Sequence, residues 1–348
     1  MIRYNGKIFL GIDLGNYNIK TSQTCFPAAY MELPGDGKQY NNVLKYEKGT
    51  YILGGSRVAQ RDDKSAVNGE QKLTNSDYLY LSQFAIAMEL EANGCPPGDY
   101  EIHLSTALPP AYLSNKEMLR NLKQFYRRQM NFQYNGRFYR VNVARVYVCP
   151  QGTAAIYANV LTDGMQRMAE KGQIAQSSRP IDILVQEPLS ILIDIGGGTV
   201  CPVVLEYGVP QPFADENPTR GVIWTYGQIQ RDIKAKTSMD ISENVINKYL
   251  MGEQIRISES GKSIVQEHIE RYAKQTLMQL REKGLPFSNA YTILMGGGAK
   301  HVRRYWDSLD NFAILDYLSE IRSTARGCEA MAQRILERQG QELESRVS

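Results

Sequence analysis

Two aspartates stand at similar places in the two halves of the chain. Asp13 follows the apolar run 8–12 and opens Asp-Leu-Gly-Asn-Tyr-Asn-Ile-Lys, residues 13–20. Asp194 follows the run 189–193 and opens Asp-Ile-Gly-Gly-Gly-Thr, residues 194–199. Each segment reads as a buried strand, an acid, a glycine turn and a second strand. Gly15 and the trio Gly196, Gly197 and Gly198 let backbone approach a ligand, and successive turn amides form an anion-binding nest. Asn16 and Thr199 add polar side chains to these turns, and Lys20 is a compact positive charge suited to a phosphate. A carboxylate repels phosphate. Asp13 and Asp194 therefore make sense as metal-site residues if a hard divalent cation such as Mg²⁺ sits between acid and phosphate, held mostly through water. The plainer reading is two hairpins whose glycines supply positive φ. Two such turns facing across a cleft could grip one polyphosphate from both sides.

A third glycine cluster, Leu294-Met-Gly-Gly-Gly-Ala-Lys300, follows an apolar strand and precedes a helix expected over 301–309. Gly296, Gly297 and Gly298 leave room for a flat base or ribose, and a helix start favours anions. The spacing is not G-x-G-x-x-G, and G-x-x-x-x-G-K-[ST] is absent.

These turns need strands and helices to carry them. Strands are expected at 43–46, 51–53, 100–105, 138–148, 189–194, 200–206 and 290–295. Ser114 and Glu117 form a capping-box pattern before Met118, Leu119, Leu122 and Phe125 at helical spacing. Residues 75–92 and 263–283 read as helices, the second stopped by Gly284 and Pro286. The alternation favours an α/β fold. The chain has 348 residues, enough for two domains. We expect domain I over 1–180 plus 320–348, with a small insertion at 27–75. Domain II spans 181–319, with an insertion at 211–286. The tail 340–348 is charged and expected to fray.

Composition narrows the function classes. Forty Lys+Arg against 37 Asp+Glu give a formal net charge of +3, with no basic block in the sequence, which speaks against direct nucleic-acid binding. Apolar runs stop well short of a membrane span, and the start lacks a signal peptide's apolar centre, so no membrane and a cytoplasmic location are expected. The five cysteines are scattered without C-x-x-C spacing, as expected of reduced thiols. The three histidines lie far apart in sequence, with no spacing that suggests a metal site or triad.

In order, Asp-Leu-Gly with its downstream Lys20, Pro150-Gln151-Gly152, Asp-Ile-Gly-Gly-Gly-Thr, Met-Gly-Gly-Gly-Ala and Thr324-Ala-Arg-Gly327 resemble the signature of the actin, hexokinase and heat-shock-chaperone ATPase superfamily. Asn18-Ile19-Lys20, the compact early insertion and Pro218-Thr-Arg-Gly221 make the likeness closest to ParM-type plasmid-segregating bacterial actins. The resemblance implies an actin-like fold of two similar α/β domains around a nucleotide cleft, each with a smaller subdomain. It implies that Asp13 and Asp194 hold the water shell of Mg²⁺. Gly15, Asn16, Lys20, Gly196, Gly197, Gly198 and Thr199 would then bind phosphates, Gln151 would orient the attacking water, and Gly296–Gly298 with Lys300 would meet the base. Residues 219–236 would border the ribose. Cys201 stands where many relatives carry Asp.

The resemblance also implies ATP or GTP as cofactor, head-to-tail filaments of this chain, and a DNA-binding adaptor of ParR type that carries the cargo. A small-molecule, sugar-type kinase on the same scaffold is the alternative. It would need a carboxylate base near the γ-phosphate, and a neutral Gln151 does not supply one. A chaperone-like switch would need a substrate domain. A membrane-associated actin would need an amphipathic end, whereas Ile335 and Leu336 sit in a charged tail.

Overall fold

The computed structural model describes residues 1–58, 74–212, 219–309 and 311–347. The strands of the first half are β1 (Ile2–Tyr4), β2 (Lys7–Leu14), β3 (Asn18–Lys20), β4 (Cys25–Pro27), β5 (Ala29–Glu32), β6 (Val43–Tyr46), β7 (Gly49–Arg57), β8 (Gly98–Leu108), β9 (Gln129–Tyr134) and β10 (Arg137–Pro150). Helices α1 (Ser76–Ala92), α2 (Lys116–Tyr126) and α3 (Thr153–Ile156) accompany them. The second half holds α4 (Asp163–Glu170), α5 (Pro180–Leu184), β11 (Ser190–Ile195), β12 (Thr199–Glu206), β13 (Val209–Pro210), β14 (Thr219–Arg220), α6 (Ile223–Thr237), α7 (Glu243–Leu250), α8 (Glu259–Glu282), β15 (Tyr291–Met295), α9 (Ala299–Trp306) and β16 (Ile314–Tyr317). The chain ends in α10 (Ser323–Val347). The architecture is mixed α/β, as expected from the alternation.

The chain divides into two compact units, Met1–Asn159 with Arg322–Ser348, and Val160–Ile321. The boundary lies after Asn159, not near residue 180. Thr162 and the Gly164 amide both bond Asp316, which ties the start of α4 to β16 of the second unit.

The first unit is built on one sheet in the order β4-β3-β2-β8-β10-β9-β6-β7-β5, with β1 beside β2. Strands β2, β8 and β10 run parallel, so their carboxyl ends share one edge. The expected insertion is not a separate body: β5, β6 and β7 extend this sheet through the β6–β9 pair. Its residues 59–73 lie outside the described residues. Helix α1 starts at the Asn75 cap and is buried on nearly every side, which explains its lack of a single apolar stripe. Helix α2 is capped by Asn115, whose side chain accepts the Met118 amide, one residue beyond the expected Ser114. The tail expected to fray continues α10 to Val347.

Buried polar groups fix the loop after β3. The Glu89 carboxylate accepts bonds from the Thr21 and Ser22 hydroxyls, the Gln23 amide and the Met1 ammonium. Glycines set how closely α10 can lie on its neighbours. A Cβ on Gly11 would strike the Ala325 carbonyl of α10, and the Gly11 amide donates to Glu329 Oε1 at 2.9 Å. A Cβ on Gly327 would lie 2.5 Å from the Ala154 carbonyl carbon of α3 and closer still to its oxygen.

The second unit's sheet runs β13-β12-β11-β15-β16, with β14 beside β12. Strands β11, β15 and β16 are parallel, and again their carboxyl ends lie together. Helices α6 and α8 pack through Ile229, Ile233, Val265 and Ile269, all fully or nearly buried.

The contact of α3 with α10 yields a test. Gly327→Ala forces backbone apart where no side chain can yield. It should cost about 1–3 kcal/mol, the range for overpacking a core, and lower the thermal midpoint. An unchanged midpoint would refute the close approach.

Candidate functional site

Asp13 is the last residue but one of β2 and lies directly opposite Lys20 in the β2–β3 ladder, on the same face. Lys20 Nζ sits 2.8 Å from Asp13 Oδ2, with both side chains largely shielded. The turn between them is tight: a Cβ on Gly15 would lie 2.5 Å from the Asn18 carbonyl oxygen. Its tip is held from outside. The Tyr78 hydroxyl donates to Asn16 Oδ1 at 3.4 Å, Arg57 Nε donates to the Tyr17 carbonyl, and the Arg57 guanidinium stacks 3.6 Å over the Tyr17 ring.

Gln151 follows Pro150 at the end of β10, and its amide donates to Leu108 O at the end of β8 at 2.7 Å. Strand order places β8 between β2 and β10, so Asp13 and Gln151 occupy the same sheet edge about 10 Å apart across two strand spacings. Gly152 takes φ +77 and leads into α3. The first unit thus gathers Asp13, Gly15, Asn16, Lys20 and Gln151 on one edge.

The second unit repeats the construction. Asp194 lies opposite Cys201 in the β11–β12 ladder, as Asp13 lies opposite Lys20. The cross-strand mate is a cation in one turn and a thiol in the other. The thiol lies 3.6 Å from Thr199 Oγ1. Cys201, expected as a departure from the usual Asp, leaves Asp194 without a second carboxylate across the ladder.

Backbone bonds orient the Gly196–Thr199 turn. The amides of Val222, Ile223 and Gly221 donate to the carbonyls of Gly196, Gly197 and Gly198 at 3.2, 3.1 and 2.9 Å. The peptide bonds are trans and planar, so each carbonyl opposes the next residue's N–H. The amides of Gly197, Gly198 and Thr199 therefore point away from the start of α6. The helix thus spends its first amides on the turn, and the turn presents three amides on its other side, the geometry of an anion nest. Gly221 must be glycine for this contact, because a Cβ there would overlap the Gly196 and Gly197 oxygens.

The third cluster meets the second. Asp194 pairs with Met295 across β11–β15, Gly298 N donates to Ile195 O at 2.8 Å, and Gly296 takes φ +88. A Cβ on Gly296 would occupy the place of Asp194 Oδ1 and lie 2.7 Å from Ile195 O. Gly297 is exposed with open space around it, and Lys300 is exposed in the first turn of α9. Helix α9 covers 299–306, two residues ahead of the expected start. Asp194, Gly196, Gly197, Gly198, Thr199, Gly296, Gly297 and Gly298 are thus brought together within the second unit. Of the glycines in the two Asp-led turns and the third cluster, only Gly296 has positive φ. The plain hairpin explanation therefore does not account for the other glycines.

Among the described residues no group of three or more His, Cys, Asp or Glu side chains is arranged to hold a metal directly. One shielded carboxylate per turn suits a cation that keeps most of its waters. Asp194 is 7% exposed and lies in the cradle that the missing Cβ of Gly296 leaves.

One functional neighbour was not legible from histidine spacing. His301, in the first turn of α9, is 3% exposed and its Nε2 lies 3.1 Å from the Tyr226 hydroxyl of α6. That hydroxyl also donates to Asn247 Oδ1 at 3.3 Å, which assigns the imidazole proton to Nε2. This network fastens α6 to α9 beneath both glycine clusters. Burial, with Lys300 and Arg304 nearby, pushes the His301 pKa down to about 4.

Residues 11–153 match the family of actin-like proteins, N-terminal domain. Among solved structures, an archaeal actin homolog aligns over 94% of this chain and 99% of its own with a TM-score of 0.69 at 16% identity. The chain has the actin-like fold. Actin-like protein Alp7A aligns over 97% of this chain and 99% of its own, with a TM-score of 0.69 and 12% identity. Bacillus thuringiensis ParM, solved with ATP, covers 95% of this chain and 99% of its own with a TM-score of 0.61 and 14% identity. The archaeal homolog has also been solved with ADP, and Alp12 as a filament. At these identities the likeness is one of fold. No curated protein matches the sequence.

His301 gives the chain a pH signature. Its folded pKa lies below the ordinary 6.5, so the unfolded chain binds the proton more readily. The His301 contribution is complete above pH 6.5 and is lost as pH falls from 6.5 toward 4, at up to about 1.4 kcal/mol per pH unit. Denaturant unfolding at pH 7 and pH 5 should show this loss, and His301→Phe should reduce it. An equal loss in the variant would remove His301 as the cause.

Proposed function

We propose that this chain is a cytoplasmic, nucleotide-dependent, filament-forming actin that hydrolyses ATP or GTP with Mg²⁺. The observation that carries the proposal is the repeated Asp-x-Gly turn, with Asp194's turn pinned through three carbonyls so that its amides face outward. In the second unit the amides of Gly197, Gly198 and Thr199 bind phosphate oxygens. Gly296–Gly298 leave backbone room for base and ribose, and Lys300 lies over the base. In the first unit Gly15 and Asn16 supply the second phosphate turn, and Lys20 moves from Asp13 to phosphate when nucleotide arrives. Asp13 and Asp194 hold the cation's water shell. The cation, when bound, screens the phosphate charge and steadies the leaving group. Gln151 is neutral, so its amide aligns the attacking water and takes no full proton.

Binding shifts the population toward a form that adds subunits, and hydrolysis weakens that form. Such contacts are head to tail and do not close. A DNA-bound adaptor of ParR type couples the polymer to plasmid movement. This last step rests on the likeness to ParM and not on residue chemistry.

Mg-ATP or Mg-GTP added to the protein should raise light scattering and give a pellet that declines as phosphate is released. Phosphorylation of an added sugar by a solution that stays unpolymerised would favour the kinase instead. Gln151→Ala should bind nucleotide as before and hydrolyse it on the order of a hundredfold more slowly, the scale for losing a positioned reactant. Its polymer should last longer in a sedimentation time course. Normal turnover would exclude Gln151.

A further inference from the structure

Helix α2 carries a feature that neither the core nor the nucleotide site uses. Met118, Leu122 and Tyr126 bury one face against the sheet. On another face Lys116, Arg120 and Lys123 recur at helical spacing, within about 60° of arc, and Arg127 follows at the C-cap. All four are exposed. Like charges at this spacing weaken a helix, and no salt bridge to any of them is found among the described residues. Glu117 is the one acid on this helix, and no salt bridge joins it to the stripe among the described residues; a stripe kept at that cost points to an anion from outside.

The stripe is one wall of a cavity of about 750 Å³. Arg145 of β10 stands on the other wall, with Leu119 and Val146 between. Two features of β10 build that wall. Its ladder with β9 ends at Asn142, opposite Gln129, so the segment beyond has no strand on that side among the described residues. The register also shifts between Val143 and Arg145, which turns Arg145 outward. Arg145 is steadied by a 2.9 Å bond to Gln339 and by the Tyr147 ring. No acidic residue lines the cavity.

We propose that this groove is a docking site for an acidic, extended peptide segment of a partner protein. Carboxylates pair with the α2 cations and Arg145, and an aliphatic side chain rests on Leu119 and Val146. The apolar patch and the concave shape favour a peptide over a nucleic-acid backbone, which would present only charge and would not fill the floor. The site is independent of the nucleotide reading, because none of its residues belongs to either glycine turn.

The test uses the full chain without nucleotide and a fluorescein-labelled peptide of alternating Glu and Leu, read by anisotropy. Binding should weaken at least tenfold in Arg120→Ala/Lys123→Ala, and also when the peptide's leucines are replaced by serine. Lys234→Ala/Lys236→Ala, which removes as much charge elsewhere, should leave it unchanged. Circular dichroism and thermal midpoints should match wild type for both double variants. The proposal is overturned if no binding occurs, if the two double variants behave alike, if leucine and serine peptides bind equally, or if charge-matched oligothymidylate binds as well as the peptide.

Discussion

Three backbone hydrogen bonds at the start of α6 decide what the second unit can present. Once Gly221, Val222 and Ile223 hold the carbonyls of Gly196, Gly197 and Gly198, peptide planarity turns the next three amides outward. The glycines follow from this. Gly221 needs space to reach the turn, and Gly298 needs space against Ile195. Gly296 needs both space beside Asp194 and a positive φ. Amides turned outward in this way offer an anion partners whose positions the backbone fixes, with no charged side chain needed.

The two turns share a frame and differ in one cross-strand residue. Asp13 faces Lys20 and Asp194 faces Cys201. The first acid has an ammonium as its cross-strand mate, and the second has a thiol. Parallel strands bring the remaining groups to the same edges, because carboxyl ends of neighbouring parallel strands must coincide. This places Gln151 on the edge of Asp13, and the Met295–Gly298 segment on that of Asp194.

The supports behind these edges are of two kinds. Helix α10 approaches closely at Gly11 and Gly327, and the buried Glu329 accepts the Gly11 amide. The Tyr226–His301 pair joins α6 to α9 and remains uncharged because burial opposes protonation. Glycine contacts set distance, and buried polar contacts set register. Both determine where the turns lie.

Short-range pattern was enough to locate the strands around Asp13 and Asp194, the helix capped at Asn75, the stop at Gly284 and all three glycine clusters, because periodicity and turn chemistry are local. The ordered set of motifs was enough to indicate an actin-like fold. Spacing left other things undecided. The Ser114 pattern gave way to Asn115 because a cap depends on which side chain reaches the free amides. The insertion became sheet because β6 found β9 as a partner distant in sequence. A nearly neutral composition concealed the cationic groove: Lys116, Arg120, Lys123 and Arg127 are spread through an ordinary helix, and Arg145 joins them only through the fold. Sequence fixes residue type and local period, whereas charge density, cross-strand mates and outward amides exist only after distant segments pack.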